Sequence, residues 1–337
     1  MNTSLEEQIR AKVREGYGAI AESDQTGCCT GGSCCGSSPE IARELATKLG
    51  YDPAVLETLP EGTNLGLSCG NPQAIADLKA GETVLDLGSG AGFDVFLAAQ
   101  AVGPSGRAIG VDMTSAMLTK ARRNASAFAE RTGLSNVEFR LGEIEHLPVA
   151  DTSVDVIISN CVLNLSPDKP QVWREISRVL KPGGRVAISD LALTKPLPSG
   201  VFELAEALVG CVAGAVLIED VWAAADAAGL AEIAITVKHD YVAVMENLQD
   251  PLYREILDLL PTGDRLSDYI VSAAISAHKP CEGCDGNCDC GDDERLGNGP
   301  GGGDDARLTS ATPEWHQNSS CCGATEMGDV GAGKRCC

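Results

Sequence analysis

The sequence predicts an α/β fold, a parallel sheet covered by helices on both faces. Three observations point there. From residue 82 onward, short apolar runs alternate with stretches of helical period, and strict alternation of this kind builds parallel sheets. The first apolar run ends in a glycine-rich turn, "LGSGAGFD", the local chemistry of a strand that hands over to a helix around a ligand. Finally, 337 residues, 44% of them hydrophobic, suffice for one large core with appendages.

In chain order, residues 1–22 read as a helix, and "DQTGCCTGGSCCGSSPE" as a Gly/Ser/Cys loop. Ser38, as N-cap, and Pro39, at the first helical position, open the next helix. Strands are expected in "ETVLDLG", "RAIGVDM", "VEFRLGE", "VDVIISN" and "RVAISDL", with helices near 92–102, 114–132, 168–180 and 219–229 between them. Ser166-Pro167-Asp168 caps the third of these helices, and the "LKPGG" at Leu180–Gly184 is expected to end it. "LAEIAITV" and "DYIVSAAISAHKP", with a helix around 250–260 between them, complete seven strands, and the core should finish near Lys279. Beyond it, "CEGCDGNCDCGDDERLGNGPGGGDD" offers almost nothing apolar to bury and should be disordered. The expected organisation is a helical arm with a Cys-rich loop over 1–65, a core domain over 66–280, and an acidic Gly/Cys-rich tail over 281–337.

A net charge of −22 argues against a nucleic-acid partner, favours solubility, and is compatible with a salty cytoplasm. No apolar run reaches membrane-spanning length, and the N-terminus lacks the apolar middle of a signal peptide, so a cytoplasmic location is expected. Fifteen cysteines, an odd number, fit poorly with a closed disulfide framework there. Eight form adjacent pairs, Cys28-Cys29, Cys34-Cys35, Cys321-Cys322 and Cys336-Cys337, an arrangement that suits a soft metal or metalloid. The "CEGCDGNCDC" stretch has spacing compatible with zinc, copper or arsenic, yet lacks two separated CxxC knuckles. It reads equally as a tether that gathers a soft ion and as an acidic, solvated extension.

The glycine turn places Gly88, Gly90 and Gly92 after Asp86, and Asp112 closes the second strand, where an acid takes ribose hydroxyls. The spacing Asp-x-Gly-x-Gly-x-Gly differs from the dinucleotide pattern, because the third glycine comes one residue early. "VLDLGSGAG" and "LGEIEHLP" instead resemble motifs of the Rossmann-like, seven-stranded class I S-adenosylmethionine-dependent methyltransferases. That resemblance implies that Gly88, Ser89 and Gly90 line the methionine and ribose. It places Asp112 and Met113 on the ribose and adenine, and Gly142, Glu143 and Ile144 at the adenine edge, with Asp86, Gly92 and Asn160 also at the cofactor. For Met113 and Ile144, plain core packing is the alternative.

Cys161 follows the fourth strand, so it should face the cofactor's reactive end. Cys69 lies just upstream of the core, and Cys211 in the helical stretch after the fifth strand, so all three could reach one edge. Any one alone would read as a small buried hydrophobe. Together, "NLGLSCGNP", "VLDLGSGAGFD", "GVDMT", "LGEIEHLPV", "ISNCVLNLSPDKP" and "GCVAGA" resemble the arsenite S-adenosylmethionine methyltransferases over about residues 60–280. The resemblance implies that Cys69, Cys161 and Cys211 ligate As(III), with arsenite or its thiol conjugates as substrate. It also implies that an upstream cysteine works in a disulfide relay, reopened by thioredoxin or glutathione. Cys28, Cys29, Cys34 and Cys35 compete for that role, with Cys34 or Cys35 preferred for lying nearer the structured helix. One departure is the "LGLS" before Cys69, where animal and algal relatives carry Tyr-Tyr-Gly.

Two other functions compete. A methyltransferase of a small organic acceptor would want an acid or base near "VIISN", where the following loop offers Cys161 and Asn164. The four histidines (146, 239, 278 and 316) fall mostly at element ends, with His146 nearest the cofactor. A non-catalytic thiol-rich metal-binding protein is the other alternative, and the intact glycine turn with Asp112 speaks against it.

Overall fold

The computed structural model describes residues 4–22, 39–198, 200–201, 211–238, 242, 251–281 and 307–308. The arm contributes α1 (Leu5–Glu22), α2 (Pro39–Lys48), α3 (Pro53–Leu56) and α4 (Gln73–Ala76). The core then alternates as β1 (Thr83–Leu87), α5 (Phe93–Val102), β2 (Arg107–Asp112), α6 (Ser115–Thr132), β3 (Val137–Leu141), β4 (Val154–Asn160), α7 (Lys169–Val179) and β5 (Leu180–Leu193). It continues with α8 (Ile218–Ala227), β6 (Ala231–Lys238), α9 (Pro251–Leu259) and β7 (Ile270–His278). These strands form one sheet in the order β3-β2-β1-β4-β5-β7-β6, to which Arg307–Leu308 adds a two-residue β8 beside β6.

Strands β1 to β5 are parallel, as the alternation requires. One strand of the seven departs from an all-parallel sheet. β7 inserts between β5 and β6 and runs antiparallel to both. β7 follows a helix, as a parallel strand would, so the element pattern alone could not separate the two arrangements. β8 is a second departure, since it lies in the segment expected to be disordered. The remainder of that tail, Ser38, the four adjacent cysteine pairs and the Cys34 and Cys35 relay candidates lie outside the described residues.

"LKPGG" also behaves differently from its reading. Asp168 caps α7, accepting from the Gln171 N–H at 3.0 Å. The helix, however, ends before Leu180, and the chain enters β5 directly, with Gly183 at φ 78°. A register shift between Val154 and Val156 absorbs the extra residues. The bulge lies ahead of the stretch Arg185–Leu193, which pairs without interruption with β7.

The centre of the sheet is apolar on both faces: Leu85, Leu87, Val156, Ile157 and Ile158 are essentially inaccessible, as expected for interior parallel strands. One helical layer packs through Phe96, whose ring lies 4.8 Å from that of Phe128. Trp173, Ile176 and Val179 of α7 fill the other face. The carboxyl ends of β1, β2 and β4 are thereby held at one rim, and α1 lies across it.

Candidate active site

A cleft of about 1000 Å³ opens at that rim, the place where open α/β sheets bind ligands. Its lining includes Asp86, Gly88, Ser89, Gly90, Asp112, Met113, Gly142, Ile144, Asn160 and Cys161. Two of the expected cofactor residues lie off the lining. Gly92 sits at φ 95° at the start of α5, where a Cβ would approach Phe96 and Phe139 to 2.7 and 2.9 Å. It serves the packing of helix on strand. Glu143 points to α1, its carboxylate 3.1 Å from Arg14 and 3.6 Å from Arg10.

The glycine turn is shaped by its neighbours. Gly88 has φ 69°, and a Cβ there would fall 2.3 Å from Val162 Cγ2, so no larger residue fits. The Gly90 N–H donates to Asp112 Oδ2 at 2.9 Å and the Thr114 N–H to Oδ1 at 2.7 Å, which fixes the acid at the end of β2. Ser89 Oγ is buried with no hydrogen-bond partner, a group whose desolvation a ligand can offset.

Three acids share this end of the cleft. Burial pushes the Asp94 carboxyl up to about 6, against hydrogen bonds from Asn160, Tyr51 and Gln73. Burial, then the neighbouring Asp94 and Asp112, holds Asp86 well above the usual carboxylate range. Burial also raises Asp112, opposed by the Thr114 and Gly90 amides. Carboxylates crowded into a dry cleft call for a positive charge. A sulfonium carrying an ammonium group and ribose hydroxyls, as in S-adenosylmethionine, fits this set of donors and acceptors.

Asn160 joins the acids to the thiols. It accepts from the Cys69 N–H at 3.1 Å and donates to Asp94 Oδ2 at 3.2 Å and to the Gly70 carbonyl at 3.0 Å. Cys69 and Cys161 are joined as a disulfide with Cα atoms 5.9 Å apart. The thiol of Cys211 donates to the Cys161 carbonyl at 2.8 Å. Cys211 lies in a turn, in contrast to the helical stretch expected for it. Its φ of 65° and that of Cys161, 56°, are left-handed, a conformation that costs non-glycine residues about 1 kcal/mol or more. Strained backbone at both cysteines marks a site that the surrounding packing holds in place.

Sequence reasoning missed several groups. Arg10, Val13 and Tyr17 of α1 line the cleft, and the Tyr17 hydroxyl lies 4.0 Å from Cys211 Sγ. An aromatic thus reaches the thiol end from α1, although Tyr-Tyr-Gly is missing before Cys69. The Arg10 and Tyr17 spacing shows only an amphipathic helix. Asp190 was also missed: one of its oxygens lies within 4.8 Å of the Cys69 and Cys161 sulfurs. It occupies the interior of β5, where nothing local distinguishes it. His146 is exposed and off the lining.

A methyltransferase domain model matches residues 78–255. The arsenite methyltransferase of Halobacterium salinarum is 47% identical over 283 residues, which is 81% of this chain and 67% of that protein. The chain belongs to the arsenite methyltransferase family. The arsenite methyltransferase of Aquipseudomonas alcaligenes is 44% identical over 50% of this chain and 49% of its own, so the matches span between half and two thirds of these relatives. The crystal structure of an arsenic(III) S-adenosylmethionine methyltransferase from Chlamydomonas reinhardtii is 31% identical. It superposes with a TM-score of 0.52 over 71% of this chain and 74% of that one. The fold is therefore that of the class I S-adenosylmethionine-dependent methyltransferases, and the protein is an enzyme of that kind acting on arsenite. Among the described residues, no helix is long and apolar enough to cross a membrane.

Proposed function

We propose that Cys69, Cys161 and Cys211 hold As(III) as thiolates at the reactive end of S-adenosylmethionine. Further, an arm over residues 1–65 precedes a methyltransferase domain of 66–280, and the acidic Gly/Cys-rich tail from 281 serves either to gather arsenite or as a solvated extension. The observation that carries this reading is the convergence of the three cysteines, distant in sequence, at one end of the cleft, with Cys161 in its wall. As(III) is soft and thiolate-seeking, and each thiol that replaces an arsenic hydroxyl releases one water. S-Adenosylmethionine supplies an electrophilic methyl group on a sulfonium sulfur, to which the arsenic lone pair can be presented without a strong base.

The protein's residues then have positional tasks. Asp86, Asp94 and Asp112 balance the ligand's positive charge, Gly88 and Gly90 admit it close to the backbone, and Asn160 ties the Cys69 loop to Asp94. Near-attack geometry is the main contribution asked of such a site. The joined Cys69 and Cys161 correspond to an oxidised form, which must gain two electrons before both can bind arsenic. Each methylation formally oxidises arsenic, and reduction back draws on protein thiols. Cys34 or Cys35 would relay the disulfide outward to thioredoxin or glutathione in the cytoplasm, through successive rounds.

The test is transfer of labelled methyl from S-adenosylmethionine to As(III) with a thiol reductant, with products identified by mass. Wild type should give methylated arsenic and Cys161→Ser little or none. Unimpaired turnover by Cys161→Ser would remove the ligand role. Absence of any arsenic product from a cofactor-binding wild type would overturn the reading.

A further inference from the structure

The loop after β4 offers an acceptor two side chains, Cys161 and Asn164, and the arsenic reading uses Cys161 alone. The fold shows where Asn164 goes instead. It sits in the short 3-10 turn Leu163–Leu165, is 4% exposed, and lines a cavity of about 880 Å³ behind the loop in place of the cofactor cleft. Its amide is committed to β5. Nδ2 donates to Asp190 Oδ1 at 2.9 Å and to the Leu191 carbonyl at 2.6 Å, and the Asn164 backbone N–H donates to Asp190 Oδ2 at 3.4 Å. Asp190 is fixed from its own strand as well, because Oδ1 also accepts from the Leu191 N–H at 2.8 Å. Buried polar groups bonded this completely hold two segments in one arrangement.

The carbonyl of the same residue supports the turn that carries Cys211. A Cβ on Gly214 would fall 1.9 Å from Asn164 O, so this turn rests on the Cys161 loop with no room for a side chain between them. Other contacts complete the junction. The Cys161 N–H donates to the Ser189 carbonyl at 2.9 Å, and the Leu193 N–H to the Val216 carbonyl at 2.8 Å. The Cys211 thiol meets the Cys161 carbonyl at 2.8 Å. Three segments distant in sequence, 161–166, 189–193 and 211–216, thus close on Asn164. Both cysteines hold left-handed backbone, which persists only where neighbours enforce it. Asn164 is placed to enforce it on both.

We propose that Asn164 is a positioning residue of the arsenic site, acting through Cys161 and Cys211 to hold their sulfurs at the separation that one As(III) requires. The proposal rests on the reading of those two cysteines as arsenic ligands. An arsenic atom shared by several thiolates dictates the distances between them. Slack between the two loops is therefore lost directly as affinity, because the second thiolate is no longer waiting where the first has placed the arsenic. A ligand that takes one thiolate is indifferent to that slack. The number of thiolates an arsenical can take thus separates a positioning role from a general support of the fold.

The test dialyses the full chain, reduced with a phosphine, against arsenite, which has three exchangeable hydroxyls, or against its dimethylated trivalent form, which has one. Bound arsenic is counted in excess of that held by the Cys161→Ser/Cys211→Ser double variant, so the other cysteines cancel. Asn164→Ala should weaken arsenite binding about ten- to hundredfold, the usual loss when the partner that orients a ligand is removed. The dimethylated form should change by no more than about twofold. Gly214→Ala disturbs the same junction from the other loop with the amide still in place, and should give the same pattern. Calorimetry with S-adenosylmethionine should find cofactor affinity within about twofold of wild type in both variants, which also shows that they are folded. Unchanged arsenite affinity in either folded variant, or an equal loss for both arsenicals, would overturn the proposal. Failure of the ligand reading would show separately, as arsenite binding to wild type no tighter than to the double variant.

Discussion

The two ends of the cofactor cleft are built in opposite ways. The cofactor end comes largely from one continuous stretch, Asp86 to Thr114, in which a strand, a glycine turn, a helix and a second strand place their groups by local geometry. The thiol end takes Cys69 from the arm's junction with the core, Cys161 from the β4 exit and Cys211 from a turn beyond β5, with Tyr17 arriving from α1. One end is specified by short-range chemistry, the other by the packing of the whole fold. The strain follows the same division. At the cofactor end the left-handed backbone falls on Gly88 and Gly90, which tolerate it, whereas at the thiol end it falls on Cys161 and Cys211. A cysteine persists in that conformation only where its surroundings compensate, so the thiol end should be the more fragile of the two.

The sharpest way to break this division is Cys211→Ser. A hydroxyl can keep the hydrogen bond to the Cys161 carbonyl but is a poor ligand for As(III). Arsenic methylation should fall at least about a hundredfold, with S-adenosylmethionine affinity within about twofold of wild type by calorimetry. An equal loss of cofactor binding would show that the two ends are one unit. Next in size is Gly88→Ala, which places a methyl 2.3 Å from Val162 Cγ2 at φ 69°. A loss of about 2–3 kcal/mol in denaturant unfolding is expected from clash and backbone strain together. Because Val162 follows Cys161, the added Val162→Ala should return the part due to the clash and leave the part due to φ.

This contrast also explains what could be read in advance. Seven strands and the helices between them were legible from periodicity, because β1, β2, β4 and β5 are buried along most of their length and Gly88 and Gly90 punctuate the pattern. The antiparallel insertion of β7 was not, since strand direction depends on where the preceding chain crosses the sheet. At the site, Asp86 and Asp112 were legible from their distance to the glycine turn. The cysteines were identified through a resemblance of several short blocks, and nothing local to Cys211 announces its turn or its contact with Cys161. Asp94 and Asp190 were invisible because a buried acid inside a helix or strand carries no pattern of its own. Glu143, expected at the adenine edge, lies off the cleft lining and pairs with Arg14 of α1.

A smaller effect, from the acids, sharpens the comparison from the cofactor side. The Asp94 carboxyl, at about 6, lies above its ordinary value of 3.8, and Asp86 and Asp112 are raised as well. Raised acids hold protons more tightly folded than unfolded, so they add stability as pH falls through about 6 and withdraw it as pH rises. The ligand-free protein should therefore gain melting temperature between pH 7.5 and 5.5, while S-adenosylmethionine affinity falls as its partner carboxylates are neutralised. Scanning calorimetry with and without the cofactor reads both slopes. Parallel slopes would mean that these acids do not meet the cofactor's charge.

The smallest effect tests whether α1 belongs to the cofactor end or merely covers it. Arg10 stands 3.6 Å from Glu143 and 3.8 Å from Glu145, and its own side chain is only 15% exposed. Burial lowers its proton affinity, but its carboxylate neighbours, Glu7 foremost, outweigh that and hold the guanidinium charged. Arg10→Met keeps much of the apolar stem and removes the link to the loop that carries Glu143 and Glu145. Because the pairs are part-solvated, the change in global stability should stay below about 1 kcal/mol. Cofactor affinity should nevertheless weaken about threefold at low salt, and the difference from wild type should shrink as salt screens the pairs. Cys211→Ser would then act on arsenic alone and Arg10→Met on the cofactor alone, so their effects should multiply in the double variant. A departure from that product would mean that α1, through Tyr17, couples the two ends after all.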